Sequence, residues 1–324
     1  MDISCAFAPT PQTPDHIALA EQLGYKRAWA YDTPALQLDV WMTLARAAER
    51  TTRIGLGPAT LIASLRHVVA TAAAVAALYD LAPGRVSLVF GPGFTGRVTL
   101  GQRPLPWSYV TQYVRQLRAL LAGEMVEVEG GMTKMLHGPG QAPARPIHVP
   151  ILLAASGPKG QAAARELADG VFTLTPTGGF DWSALMILGT VLEPGESPSS
   201  PRVMAAAGPG AALLYHSAFE QVGAQGGLMQ LPNAAQWLKA VEAFPERERY
   251  LHIHEGHLTF LNGIDAPIVT GELIASHTFT GEADVLRARL EDIAKAGTTE
   301  VAFQPAGPDI PRELTAFAKM AGIA

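Results

Sequence analysis

The chain has 324 residues, 48% of them apolar and 16% charged, with a net charge of −5 at neutral pH; a large core is within reach, and no dense Lys/Arg run offers nucleic acid or an acidic membrane a footprint. Cys5 is the single cysteine, which excludes an internal disulfide and a cysteine-rich metal centre and fits a reducing cytoplasm. The N-terminus lacks a basic leader and the Ala/Val-rich run 68–81 is short for a bilayer span, so the expected partners are small molecules, with no nucleic acid and no membrane.

Residues 3–8 form a short apolar stretch ending at Pro9 and predict the first strand; Pro14 opens a helix over 16–23 that Gly24 ends. A second strand is expected at 27–31, a polar loop at Asp32-Thr33-Pro34, a helix at 40–50 and a third strand at 54–57. The loop 58–66 leads into a helix at 67–81, stopped by Pro83-Gly84, then a fourth strand at 86–90 and a glycine-rich turn at 91–96. A helix over 107–121 and a small hairpin around Gly130-Gly131 follow.

The run VPILLAASGPKGQAAARELADGVFT, 149–173, is the most informative stretch. Its apolar half, 149–155, predicts a buried parallel strand, Ser156 to Gly160 a tight turn, 161–168 an Ala-rich helix and 171–174 the next strand: one βαβ unit. A helix that starts in such a turn presents unpartnered N–H groups and the positive end of its dipole, so an anion beside Ser156, Gly157, Pro158, Lys159 and Gly160 would be bound, with the Lys159 charge added. A helix at 181–192, a strand at 203–207, an insertion over roughly 208–275 with helical patches at 211–221 and 234–243, a helix at 281–296, a strand at 300–304 and a closing helix at 310–320 complete the reading. Eight strands alternating with helices predict a (β/α)8 TIM barrel with a late insertion, a single domain over 1–324, whose site lies where the strands end.

Four stretches carry a family resemblance: AEQLGYKRAWAYD (20–32), TTRIGLGPATLIASLRHVVATAAAVAALYDLAPGRVSLVFGPG (51–93), GPKGQAAARELADGVF (157–172) and FTGEADVLRARLEDIAKAGTTEVAFQPAGPD (279–309). Through them the chain resembles the luciferase-like flavin- or deazaflavin-dependent oxidoreductases, (β/α)8 barrels that include methylenetetrahydromethanopterin reductase. The resemblance implies a ring cofactor at the barrel mouth, coenzyme F420 or alternatively FMN, and a homodimer. Its phosphate falls at Ser156–Gly160, a non-prolyl cis peptide at Ala59–Thr60 lies against the ring, and Phe7, Gly91 and Thr175 at other strand ends complete the cofactor set. Two departures stand out. Asp32-Thr33 replaces an Asp-His pair after strand two, and Phe7 and Phe94 stand where the pterin reductases carry a glutamate and an aspartate.

Such a cofactor carries the chemistry, so few catalytic side chains are required. Asp32, at a strand end, is a candidate acid/base or else a cap; His67, at a helix start facing the barrel mouth, contacts the cofactor ring or phosphate or else makes a structural hydrogen bond. His254, within HIHEGH (252–257), is the third candidate, bordering a substrate pocket. The histidines of that run are spaced by two, three and five, not the four of a zincin helix, so no metal is expected. The activity expected is hydride transfer between F420 and a small organic substrate, with an FMN-dependent monooxygenase, a non-catalytic flavin-binding barrel and a metal hydrolase as alternatives.

Overall fold

A computed structural model describes residues 1–222 and 227–324 of the chain. Its first elements are β1 (Asp2–Phe7), α1 (Thr13–Gln22), β2 (Arg27–Ala30), α2 (Val40–Ala48), β3 (Gly55–Pro58), β4 (Leu61–Ile62), α3 (Val68–Leu81) and β5 (Leu88–Gly91). They continue through α4 (Phe94–Val98), α5 (Trp107–Ala122), the hairpin β6 (Val126–Val128) and β7 (Gly131–Thr133), β8 (Ile151–Ala154), α6 (Pro158–Leu167), β9 (Gly170–Thr173) and β10 (Ser183–Leu188). The late elements are α7 (Pro201–Val222), α8 (Ala234–Glu242), α9 (Arg249–His254), α10 (Gly271–His277), α11 (Ala283–Lys295), β11 (Glu300–Gln304) and α12 (Ile310–Ala321).

One nine-stranded sheet runs in the order β3-β2-β1-β11-β10-β9-β8-β5-β4. Its two terminal members are halves of one strand, interrupted at Ala59-Thr60, and β3 also bridges the chain just before β5: Leu56 donates to Arg85 O at 2.8 Å and accepts from Ser87 N at 3.1 Å. Nine segments therefore make eight barrel strands, and the fold is a TIM barrel. β5, β8 and β9 are largely apolar runs buried on both sides, as a sheet wrapped by helices requires.

The chain divides into two compact units, Met1–Arg97 with Arg103–Met186 and Ile293–Ala302, and Val98–Gln102 with Ile187–Asp292 and Phe303–Ala324. In the first, the strand starts are tied by Glu300, which is 1% exposed and accepts from Arg27 (2.7 Å), Trp29 Nε1 (2.9 Å) and Trp182 Nε1 (2.8 Å). Arg27 also lies 4.3 Å over the Trp182 ring. Trp182 thus belongs to the N-terminal end of the barrel, where side chains serve stability. The second unit has its own core, in which Tyr215, Trp237, Leu228, Ile253, Ile268 and Ile274 are buried together.

Two of the expected elements change type. The expected helix at 181–192 is β10: Ser183–Leu188 is an unbroken apolar run whose Leu and Met favour helix in isolation, but it pairs in register with β9. The expected strand at 203–207 lies inside α7, a 22-residue helix that runs through Gly208-Pro209-Gly210. The glycines inside this helix allow close packing: a Cβ on Gly208 would lie 2.7 Å from Leu261, and one on Gly210 2.9 Å from Leu188. Among the described residues no helix is long and apolar enough to cross a membrane.

Candidate functional site

A parallel barrel gathers its functional loops at the C-terminal ends of its strands, and in the first unit these ends are shaped by an interruption of the third strand. The Ala59–Thr60 peptide is cis; Ala59 N still donates to Ala30 O at 2.8 Å, and the chain then resumes as β4 beside β5. A Cβ on Gly91, at the end of β5, would lie 2.8 Å from the Thr60 methyl and 3.0 Å from Ala154 Cβ. Thr60, Gly91 and Ala154, from three neighbouring strands, therefore meet with no room for a side chain on the middle one. The glycine-rich turn that follows is wrapped on Ile62: Cβ atoms on Gly93 and Gly96 would lie 2.6 Å and 2.2 Å from it. Those glycines answer to packing, not to phosphate.

Beyond Ala154 the chain turns at Ser156-Gly157 and enters α6. Gly157 is the N-cap and no side chain caps the helix, so the first N–H groups, from Lys159 onward, have no partner within it. Ser156, Gly157, Pro158 and Lys159 are exposed, and a Cβ on Gly157 would meet nothing within 4 Å. Gly160 is the opposite case, buried, with a hypothetical Cβ 2.4 Å from the Trp107 ring. Trp107 supports the turn from below while its outer side stays open. Among the described residues no carboxylate pairs with Lys159, and this corner can bind an anion.

Asp32 lies just past the end of β2 and is 2% exposed. Its Oδ2 accepts from Arg66 Nη1 at 2.6 Å, while Arg66 Nη2 donates to Asp39 at 2.8 Å. Burial raises the Asp32 pKa and outweighs the Arg66 hydrogen bond and charge and the Ile62 N–H that lower it. Arg66 is fixed in turn: its carbonyl accepts from the Tyr113 hydroxyl at 2.9 Å, which also meets Thr71 Oγ1 at 2.6 Å. Asp32 thus holds both ends of the segment 62–66 that follows the cis peptide. His67 is exposed and caps α3, its Nδ1 accepting from Val69 N at 3.3 Å. Phe7 is buried and stacks on His16 with ring centroids 6.5 Å apart, whereas Thr175 is exposed in the loop after β9. The sequence reading missed Arg66 and Tyr113. An arginine directly before a helix that follows two aspartates was the available sign, and only folding shows that the three meet.

His254, the third catalytic candidate, belongs to the second unit. It is fully buried at the end of α9, with Nδ1 3.1 Å from His257 Nδ1 and Nε2 hydrogen-bonded to Glu220. His216 of α7 joins the pair, its Nδ1 3.3 Å from His257 Nδ1 and its Nε2 3.0 Å from Asp265 Oδ2. No local spacing could reveal that third histidine, 41 residues before His257. Burial, and then the neighbouring His216 and His254, push the His257 pKa well below the usual histidine range.

Comparison with known proteins adds to this geometry. The model of the luciferase-like monooxygenase family matches residues 8–300. A 5,10-methylenetetrahydromethanopterin reductase from Methanolobus tindarius is 25% identical over 326 residues, covering 96% of this chain and 95% of that protein. An F420-dependent glucose-6-phosphate dehydrogenase from Beutenbergia cavernae is 32% identical over 177 residues, covering 48% of this chain and 50% of that protein. Among solved structures, the F420-dependent tetrahydromethanopterin reductase of Methanopyrus kandleri superposes with a TM-score of 0.71 at 19% identity, over 98% of this chain and 97% of its own, a likeness of fold.

Proposed function

The chain belongs to the luciferase-like monooxygenase family, and on that premise we propose that it is an oxidoreductase moving a hydride between coenzyme F420 and a small organic substrate. The observation that carries this reading is the open, uncapped start of α6 at Gly157–Lys159. The corner fits a phosphate: backbone N–H groups of Lys159 and Gly160, the Ser156 hydroxyl and the Lys159 ammonium would hold it. Gly157 leaves the approach clear. The segment from Ala59 to Ile62, with Gly91 behind it and Phe7 and Thr175 at other strand ends, would border the ring. When bound, the cofactor supplies the hydride acceptor or donor.

The protein's own residues then position and exclude. Asp32 acts as a positioning residue: it accepts the Ile62 N–H and the Arg66 guanidinium, so the ring-facing segment is held from both sides. His67 fixes the start of α3 immediately after Arg66. The name of the Beutenbergia cavernae relative supports F420, and Phe7, with no carboxylate at the end of β1, argues for a substrate other than a pterin. The family's own description keeps an FMN-dependent monooxygenase as the second reading. The same account makes the protein a cytoplasmic homodimer, which light scattering checks. Titrating the purified protein with F420 and with FMN decides between the readings: saturable binding near or below about 1 μM is expected for F420, followed by turnover in a screen of alcohols, ketones and enones. Tighter binding of FMN would select the monooxygenase, and binding of neither would defeat both.

A further inference from the structure

We propose that His216, His254 and His257 form a binding site for a divalent transition-metal cation of the Zn2+ type, built entirely from residues of the second unit. One ligand nitrogen from each residue falls within 4.8 Å of the other two. The Nδ1 separations of 3.1 Å and 3.3 Å match the edge of about 3.3 Å spanned by two nitrogens bound tetrahedrally at about 2.0–2.1 Å from one ion.

Counting protons leads to the same place. His216 Nε2 faces Asp265 and His254 Nε2 faces Glu220, so in the neutral form of each ring the far nitrogen carries the proton outward and Nδ1 turns a lone pair inward. The Nδ1 of His257 faces both and has at most one proton for the two contacts. Imidazoles held by carboxylates on their outer nitrogens, with inner lone pairs converging, are the arrangement that supports metal-bound histidine. The carboxylates are themselves fixed or enclosed: Asp265 also accepts from Trp237 Nε1 at 2.9 Å, and Glu220 Oε2 is buried without a partner among the described residues. All three histidines are at most 8% exposed.

The scaffold is built for the purpose. α7 brings His216 and Glu220 one turn apart. His254 and His257 flank a turn that requires Gly256 at φ +68°, where a Cβ would strike the Phe260 ring at 2.6 Å. Asn262 locks that turn to Asp265: its Nδ2 donates to the carbonyls of His252, Ile253 and Glu255, and its Oδ1 accepts from Ile264 N and Asp265 N. Three neutral nitrogens and no thiolate suit Zn2+ over Mg2+ or Ca2+, with the fourth position left to water.

The test uses full-length protein with any affinity tag removed, stripped with chelator, exposed to excess Zn2+ and passed through a desalting column. Elemental analysis is expected to return about one zinc per chain, Co2+ in its place to give the intense visible absorption of tetrahedral coordination, and zinc to raise the melting temperature of the wild type. His257→Gln and His216→Ala lose the retained metal and the cobalt spectrum, while His137→Ala, at an exposed site, keeps both. Retention below about one tenth of an equivalent, or retention undiminished in the histidine variants, overturns the site. Should those variants not fold, absence of any zinc-dependent melting shift in the wild type overturns it equally. A chain filled by protons instead of metal would give that last result.

Discussion

At the scale of single residues, burial and charge decide what each candidate can do. Asp32 has the position of an acid/base, yet its carboxylate is enclosed and paired with Arg66. Removing the guanidinium leaves a buried charge unpaired. Arg66→Met is therefore expected to destabilise the protein by about 3 kcal/mol in urea denaturation, and adding Asp32→Asn to recover part of that loss; equal and additive losses would show that the pair is not coupled. Cys5 gives a second residue-level test. Burial, then the Glu300 charge, pushes its thiol well above the usual range, so the thiolate is scarce at neutral pH. Cys5 should react with a disulfide reagent only after unfolding, and prompt labelling of the native protein would contradict its placement. Of this scale the sequence showed the residues but not their partners: Asp32 and Arg66 are 34 positions apart, and no periodicity links them.

At the scale of elements, the glycines at the ends of strands and in helices set how closely the chain can approach itself. Gly91→Ala would press a methyl group onto Thr60 and Ala154, with an expected loss of about 1–3 kcal/mol and weaker cofactor binding, because the shifted segment borders the proposed ring site. Thr60→Ser removes the nearer contact and should restore part of both losses; a neutral Gly91→Ala would mean the strands do not meet there. In the first turn of α7, Arg202 grips Glu196 through Nε and Nη2, which holds that carboxyl down at about 2, helped against burial by Glu193 N and Ser200. A folded-state pKa below the unfolded one gives stability that is present above about pH 4.5 and lost as pH falls toward 2. The stability gap between wild type and Glu196→Gln should therefore be full at pH 6 and close across that window, and a gap independent of pH would refute it. The strands of the first unit were legible because apolar runs bounded by Gly and Pro are direct signals. β10 and α7 were not, because Leu and Met in a strand and Gly-Pro-Gly in a helix are local preferences overruled by sheet pairing and close packing.

At the scale of the molecule, the alternation of strand and helix pointed to the barrel, although the expected strand at 203–207 lies in α7 and β10 stands where a helix was expected. The candidate site was legible in the same proportion. The α6 turn and the Ala59–Thr60 bond lie where the resemblance set them, while the histidine cluster needed His216 to be brought in from a distant helix.

The central claim, that the start of α6 holds the phosphate of a ring cofactor, is tested most directly by calorimetric titration of F420 into wild type and Lys159→Glu. Saturable binding by the wild type, weakened about tenfold or more in the variant at unchanged melting temperature, is the predicted result. Equal affinities, or no binding to the wild type of either F420 or FMN, would contradict it.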